Sequence, residues 1–243
     1  MLKKHFKFIA SIFLLVNTSI VEARPMSKDP LPERHQETSV SEIVDRALKH
    51  IAKENDRYRA VIISGGEKVA QVAAEMDRLD PEARKQLVLR GVPILVKDNI
   101  ETSEWPTTAG SLILAKNYTH RDAEIVSNLR KNGAVIIGKT NLSEWANFRS
   151  EGSISGWSAI GGQTRNAHDP ERTACGSSSG SAVSVARGYV SIAIGTETDG
   201  SIVCPAAMNG VVGFKPTHGI LSSSGIIPIA SSQDTAGPIA SDV

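Results

Sequence analysis

The chain has 243 residues, of which 40% are hydrophobic and 22% charged, and its formal net charge is +1. This length allows one substantial hydrophobic core, and the composition is that of an ordinary globular protein. With so small a net charge there is no electrostatic case for binding nucleic acid or an anionic surface.

The first residues have the three-part layout of a secretory signal peptide. Lys3, Lys4 and Lys7 precede an apolar run over residues 8–16, and small residues suited to cleavage lie at 21–23. The run is too short to cross a membrane, and a buried N-terminal helix is the alternative interpretation. We predict a signal peptide over residues 1–23, with the mature protein secreted or periplasmic.

Helices and short apolar strands alternate along the middle of the chain. Residues 24–38 are polar and contain three prolines, which is typical of a linker. A helix capped by Ser39 or Ser41 follows, since its apolar residues recur at helical spacing. The pattern also predicts helices over 69–79, 81–89 and 124–131, and strands over 60–64, 92–96 and 134–137. Wholly apolar strands between helices indicate an α/β fold with a sheet covered on both faces.

The last third of the chain has fewer periodic segments. Residues 150–169 form a long polar, glycine-rich stretch, which is typical of a functional loop. Short strands are predicted over 211–214 and 226–229, and a turn over 234–238, where Gly237 precedes Pro238. On this interpretation the chain reaches Val243 with no closing helix or strand.

Two turns rich in glycine and hydroxyl groups dominate residues 173–205. The first carries four serines and the second two threonines and a serine, namely Ser177, Ser178, Ser179, Ser181, Thr196, Thr198 and Ser201. The apolar segment 182–194 between them predicts a core helix and strand that fix both turns. Glycine-rich turns can direct backbone N–H groups at one point, which is how acyl-transfer enzymes stabilise an oxyanion beside a nucleophilic serine.

The chain has two cysteines, Cys175 and Cys204, and each flanks one of these turns. Two residues do not make a disulfide scaffold. A disulfide requires the turns to meet, and two small buried thiols are the preferred interpretation.

Three catalytic interpretations of the serine turns compete. Residues 176–180 formally match the nucleophile elbow G-x-S-x-G, which would make Ser178 the nucleophile, but the polar segment before it cannot be the required strand. A phosphate-binding loop would need lysine after Gly180, where Ser181 stands. The third uses Lys97, which ends an apolar strand where burial would favour its neutral, basic form. A strand-end lysine with its ammonium group in water is the alternative for that residue.

Three sequence blocks resemble the consecutive signature blocks of the amidase-signature hydrolases. They are residues 91–99 (GVPILVKDN), 175–181 (CGSSSGS) and 195–202 (GTETDGSI). Similarity extends to 106–111, 138–146 and 213–217, and so covers the chain from about Ser41 to its end. Residues 141–148 (NLSEWANF) and 196–206 (TETDGSIVCPA) are most similar to the bacterial peptide amidases. The resemblance implies an α/β fold with a mixed sheet covered by helices, and makes residues 39–243 the N-terminal part of a single domain.

The resemblance also implies roles for individual residues. Ser201 would be the nucleophile, Ser177 the bridging serine after a cis peptide bond, and Lys97 the base. The N–H groups of Thr198, Asp199, Gly200 and Ser201 would form the oxyanion hole, with Ser178 and Thr196 supporting the triad. Asn147 and Phe148 are candidate substrate contacts. No metal or other cofactor is implied.

This sequence departs from the family pattern in three respects. Ser179 stands where many members have glycine, a small change that we expect the turn to tolerate. Val203 replaces an arginine found in many members, which disfavours a small acidic substrate. Members also run well beyond the Gly237–Pro238 segment, so we expect the C-terminal part of the fold to be missing and an apolar sheet edge to be exposed.

Three functions follow from these features. The first is an exported amidase that cleaves a small-molecule or peptide amide, such as a peptide's C-terminal amide, without nucleic-acid or membrane partners. The second is a truncated, inactive remnant that at most binds ligands. The third is the amidase component of an amidotransferase that acts on charged tRNA, which an export signal disfavours.

Overall fold

The computed structural model describes residues 39–243. The signal peptide and linker predicted over residues 1–38 lie outside the described residues. Six α-helices occur in this part of the chain: α1 (Val40–Tyr58), α2 (Glu67–Arg78), α3 (Pro81–Lys85), α4 (Glu124–Lys131), α5 (Ser179–Ala186) and α6 (Val203–Met208). Short 3-10 helices cover Leu112–Leu114 and Glu144–Asn147. No helix among residues 39–243 is long and apolar enough to cross a membrane.

Eight strands form two sheets in the described part of the chain. They are β1 (Val61–Ser64), β2 (Pro93–Lys97), β3 (Val135–Thr140), β4 (Trp157–Ser158), β5 (Gly162–Gln163), β6 (Ile192–Glu197), β7 (Val212–Gly213) and β8 (Thr235–Ala240). The main sheet has six strands in the order β1-β3-β2-β6-β8-β7, and β4 and β5 form a separate hairpin. The three central strands β3, β2 and β6 are parallel, whereas β1, β8 and β7 pair antiparallel with their neighbours.

The sheet is mixed and its centre is covered on both faces. Every residue of β2 and β3 is buried, which requires packing above and below these strands. Helix α1 presents its apolar stripe to this core through Val44, Ala47 and Ile51, and begins with a capping box in which Ser39 and Glu42 cap each other. The α/β prediction with a mixed, covered sheet is therefore confirmed.

The parallel arrangement of the central strands brings their polar carboxyl ends to the same edge of the sheet. β2 and β6 are neighbouring parallel strands, with Val96 opposite Ile194. Their carboxyl ends, Lys97 and Glu197, therefore lie at the same edge of the sheet. Helix α5 starts beside this edge at the first serine turn and packs on β6, where the Ser181 hydroxyl donates to the carbonyl of Ile194 at 3.1 Å. Ligands of open α/β sheets bind at such edges.

The predicted turn over residues 234–238 is wrong. Thr235–Ala240 is strand β8, which pairs with β6 along its whole length and with β7 on its other side. Glycine is needed here because a Cβ on Gly237 would lie 2.2 Å from the carbonyl oxygen of Phe214. The small residues around Pro238 resemble a turn signal, but they are required by the close packing of this strand. The described part of the chain therefore ends with a strand, which the sequence pattern did not predict.

Two other predicted elements differ from the structure. Residues 226–229 do not form a strand; Ile226 makes one isolated bridge to Ile100, and the N–H of Ile229 donates to the carboxylate of Asp234. Helix α3 ends at Lys85 rather than at residue 89, since the backbone of residues 89–91 turns to bond with the segment before β3.

Candidate active site

Lys97 is fully buried at the end of β2 and contacts both serine turns. Its Nζ donates to the Oγ of Ser177 at 2.7 Å, to the Oγ1 of Thr196 at 2.9 Å and to the Thr196 carbonyl at 3.2 Å. Asn99 donates to the same threonine hydroxyl at 3.0 Å. The lysine therefore points away from water, toward the candidate bridging serine.

Burial lowers the pKa of Lys97 to about 7. The carboxylates of Glu197 and Asp234 act in the opposite direction and raise that pKa, but they do not offset the loss of hydration. Near neutral pH the lysine therefore has a substantial neutral fraction, which is the form that accepts a proton.

The first serine turn places Ser177 beneath the surface, where it is fully buried. The Gly176–Ser177 peptide bond is cis, as the resemblance implies. The backbone N–H of Ser143 donates to the Ser177 carbonyl at 3.1 Å, and the N–H of Gly156 donates to the Ser143 hydroxyl at 2.8 Å. Ser143 thus ties this turn to the segment after β3.

Ser178 joins the two turns directly. Its backbone N–H donates to the Ser201 carbonyl at 3.1 Å, and its hydroxyl donates to the Thr196 carbonyl at 3.0 Å. The residues named for the triad and its support, Lys97, Ser177, Ser178, Thr196 and Ser201, therefore lie at one place in the fold.

Ser201 lies in the turn between β6 and α6 and is 9% exposed, whereas Lys97 and Ser177 are fully buried. Gly200 has a φ of 75°, a left-handed conformation that favours glycine. Among residues 39–243, the backbone N–H groups of Asp199 and Ser201 have no hydrogen-bond acceptor. Such unpaired N–H groups beside a serine that is less deeply buried than Lys97 and Ser177 can stabilise an oxyanion.

Glu197, Lys215 and Asp234 hold this second turn in place, and the sequence analysis did not select them. Glu197 accepts from the N–H groups of Ile202 at 2.6 Å and Val203 at 2.9 Å. Lys215 donates to the Thr198 carbonyl at 2.7 Å, and Asp234 accepts from the Thr198 hydroxyl. The only signal available was that Glu197 and Lys215 belong to blocks that resemble the family.

Burial alone would raise the pKa of Glu197. Hydrogen bonds from the backbone N–H groups of Val203, Ile202 and Gly200, together with the charge of Lys215, outweigh burial and lower that pKa below its usual value. Glu197 is therefore an anion at neutral pH, and it lies at the end of the strand next to Lys97.

The preferred interpretation of the cysteines as two thiols is wrong. Cys175 and Cys204 form a disulfide, with their Cα atoms 6.0 Å apart. The two turns meet, as the Ser178–Ser201 bond also shows, and this tertiary contact could not be derived from the spacing of the cysteines alone.

A second buried lysine lies next to the site on β3. Lys139 is fully buried and its Nζ lies 2.9 Å from the Oδ1 of Asp98, the residue after Lys97. Asp98 also accepts from the backbone N–H and hydroxyl of Thr108. Asp98 thus connects the end of β2 both to β3, through Lys139, and to the segment that follows β2, through Thr108.

The two candidate substrate contacts lie in or beside the 3-10 helix Glu144–Asn147. Asn147 donates to the Ser155 hydroxyl at 3.3 Å, and Phe148 is 69% exposed. A cavity of about 60 Å³ beside the site is lined by Asn99, Thr196, Glu197, Thr198 and eight residues between positions 223 and 235. Another of about 320 Å³ is lined by Asp98, Thr108 and apolar side chains. Neither Asn147 nor Phe148 lines these two cavities.

Residues 42–243 match the amidase family, and this span contains the site described above. The chain belongs to the amidase family. The similarity covers nearly all of the described residues, so the fold and the family predicted from the sequence are confirmed together.

Several amidases are similar to this chain. The native peptide amidase structure from Stenotrophomonas maltophilia is 54% identical, with a TM-score of 0.81, over 84% of this chain and 42% of that one. A probable amidase from Arabidopsis thaliana is 45% identical over 82% of this chain and 39% of its own length. A glutamyl-tRNA(Gln) amidotransferase subunit from Symbiobacterium thermophilum is 45% identical over 85% of this chain and 42% of its own. This amidase chain thus spans about two fifths of the length of these relatives.

The described part of this amidase has no group of three or more His, Cys, Asp or Glu side chains placed to hold a metal ion. Apolar side chains near the sheet edge formed by β7 are exposed, among them Val203, Val212 and Phe214.

Proposed function

We propose that this chain carries the catalytic machinery of an amide hydrolase, with Ser201 as nucleophile, Ser177 as bridging serine and Lys97 as base. The observation that carries the proposal is the 2.7 Å contact between Lys97 Nζ and Ser177 Oγ in a fully buried position. A buried lysine that donates to hydroxyl and carbonyl groups is suited to general-base catalysis, because its neutral form is available at neutral pH.

In the proposed reaction, neutral Lys97 accepts the hydroxyl proton of Ser177 as Ser177 accepts that of Ser201. The Ser201 oxygen attacks the amide carbonyl, and its new C–O bond gives a tetrahedral oxyanion. When the C–N bond breaks, the proton returns through Ser177 to the leaving nitrogen, and an ester to Ser201 remains. Water then attacks this acyl-enzyme through the same relay, and the carboxylic acid and free Ser201 are released.

The second turn would stabilise the oxyanion. The unpaired N–H groups of Asp199 and Ser201 support this role. The proposed donor set also includes the N–H of Thr198 and that of Gly200, which hydrogen bonds to Glu197. Loss of one such donor typically lowers the rate about 10²–10³-fold. Ser178 and Thr196 would hold the two turns and Lys97 in fixed positions relative to one another, which their hydrogen bonds support.

The proposed substrate is a simple carboxamide, with a peptide's C-terminal amide as the preferred case. The 54% identity to a peptide amidase supports this choice, as does valine at position 203 in place of arginine. Asn147 and Phe148 remain proposed contacts, and the exposure of Phe148 leaves it free to touch a ligand.

Two alternatives have specific support. The 45% identity to a glutamyl-tRNA(Gln) amidotransferase subunit supports an amidotransferase role. The span of about two fifths of the relatives' length supports a fragment that binds ligands without turnover. Export through residues 1–23 would disfavour the amidotransferase, and the disulfide is consistent with an oxidising compartment. N-terminal sequencing of protein from cells tests this, since an uncleaved chain that remains in the cytoplasm would contradict export.

Ammonia release from a C-terminally amidated dipeptide by the 243-residue chain tests the proposal. Ser201→Ala should abolish release without changing the melting temperature. Ser184→Ala is a matched control, because this buried serine of α5 has a hydroxyl without a partner among the described residues. Equal turnover by Ser201→Ala and the unmodified chain would contradict the assignment, and a folded chain with no turnover would favour the fragment.

A further inference from the structure

Lys215 connects the segment after β7 to the turn that carries Ser201. Its Nζ donates to the Thr198 carbonyl at 2.7 Å and lies 3.6 Å from the Oε1 of Glu197. The other carboxylate oxygen of Glu197 accepts from the N–H groups of Ile202 and Val203. The lysine and glutamate together therefore hold both ends of the turn, at residues 198 and 202–203.

The same glutamate is electrostatically coupled to Lys97. Glu197 and Asp234 are the two carboxylates that raise the pKa of Lys97 against the effect of burial. Asp234 is held by the Thr198 hydroxyl and by the N–H groups of Ile229 and Ala230. The cation paired with Glu197 is Lys215.

We propose that Lys215 is a positioning residue of the site: it fixes the turn that presents Ser201 and offsets the charge of Glu197 that would otherwise favour protonated Lys97. The inference rests on the proposed function, since it assigns Lys215 a part in keeping the base neutral. Lys215 is not a catalytic residue in this account, because it acts through Thr198 and Glu197.

The other charged groups near Lys97 lie on both sides of its strand. Asp98, the residue that follows the end of β2, pairs with Lys139 of the neighbouring strand β3. On the β6 side the charges are Glu197 with Lys215, and Asp234 before β8. Removal of Lys215 would thus leave Glu197 without its paired cation, whereas the Asp98–Lys139 pair would be unchanged.

The pKa of Lys97 can be measured in the 243-residue chain without any turnover. Lysine labelled with ¹³C at Cε gives an NMR signal that titrates with the amine, and Lys97→Met identifies that signal. We expect Lys215→Met to raise the midpoint by about half a unit, because a nearby positive charge is lost. Glu197→Gln should lower the midpoint of Lys97, and Lys215→Arg should retain the original value. The double variant Glu197→Gln/Lys215→Met should have a midpoint between those of its two single variants.

A midpoint that is unchanged or lowered in Lys215→Met would overturn the inference. If that variant does not fold, Glu197→Gln is compared with the double variant, and identical midpoints would overturn it. A purely structural lysine would lower thermal stability without moving the Lys97 signal. The proposed function is tested separately, by turnover. An unmodified chain without turnover, in which Lys97 still titrates near neutral pH, would contradict the proposed function and leave the inference on Lys215 to be decided by the midpoints.

Discussion

The Nζ of Lys97 lies 2.7 Å from the Oγ of Ser177, although the two residues are 80 positions apart in the chain. The contact forms because β2 and β6 are neighbouring parallel strands and α5 begins at the first serine turn between them. The proposed base and the proposed bridging hydroxyl are thereby brought together in a fully buried position. The proposed chemistry therefore depends on the central sheet, which residues 39–243 contain.

Activity should depend on pH through Lys97, whose pKa is lowered by burial to about 7. The rate of reaction with a fluorophosphonate serine probe should rise through pH 7 and level off above pH 8. Below pH 6 it should fall about tenfold per unit, because only neutral lysine accepts a proton. A midpoint above pH 9, measured from labelling rates in a series of buffers, would contradict this prediction.

The same shift has a consequence for stability. In the unfolded chain a lysine titrates at about 10.4, so between pH 7 and 10 the unfolded state binds more protons than the folded state. The contribution of Lys97 to the free energy of unfolding should therefore rise with pH through this window. Urea unfolding of the chain and of Lys97→Met at pH 7 and pH 9.5 measures it. The amount by which the free energy of unfolding of Lys97→Met exceeds that of the unmodified chain should be smaller at pH 9.5 than at pH 7. A larger difference at pH 9.5 would contradict the predicted direction of the pH dependence.

Ser177→Ala should remove the relay and leave the nucleophile in place. We expect the labelling rate to fall by about 10²–10⁴-fold, the range of general-base contributions. Stability should change by only about 1 kcal/mol, the value of one hydrogen bond. Ser184→Ala is again the matched control. A Ser177→Ala variant that labels at the original rate would mean that Lys97 activates Ser201 without a bridge.

Reduction of the Cys175–Cys204 disulfide should destabilise the site more than the rest of the fold. The bond closes a loop over a sequence separation of 29, and the chain-entropy estimate for that length is about 3–4 kcal/mol. Melting temperature and labelling should both fall in dithiothreitol, whereas a Cys175→Ser/Cys204→Ser variant should have the lower values with or without reductant. An unchanged melting temperature on complete reduction, verified by thiol titration, would argue against a stabilising role.

The buried pair of Asp98 and Lys139 should be sensitive to the loss of one partner. Lys139→Met leaves a carboxylate buried without its counter-ion and should cost about 3–5 kcal/mol in the free energy of unfolding. The double variant Asp98→Asn/Lys139→Met removes both charges and should recover much of this loss. Urea unfolding of the three proteins measures the coupling, and additive losses would show that the pair does not act as a unit.

The sequence predicted the elements whose signals are local. The helix over 40–58 has both a capping box and an apolar stripe, and the buried strands that contain Val96 and Ile136 are continuous apolar runs. The blocks around Lys97, Ser177 and Ser201 indicated the family, and the structure places these residues together.

Other features depend on contacts between distant segments, which no local pattern records. Strand β8 is made of small residues because its backbone packs closely against neighbours, so its sequence resembles a turn. Glu197 and Lys215 were not predicted as site residues, because only the fold places both against the turn that carries Ser201. The disulfide likewise required the two turns to meet.

The most direct measurement is the identity of the residue that the fluorophosphonate probe modifies. The 243-residue chain would be labelled at pH 8, digested and mapped by mass spectrometry. We predict one adduct, on Ser201, that is absent from Ser201→Ala and from Lys97→Met. An adduct on Ser178, as the nucleophile-elbow interpretation requires, or labelling that persists in Ser201→Ala, would contradict it.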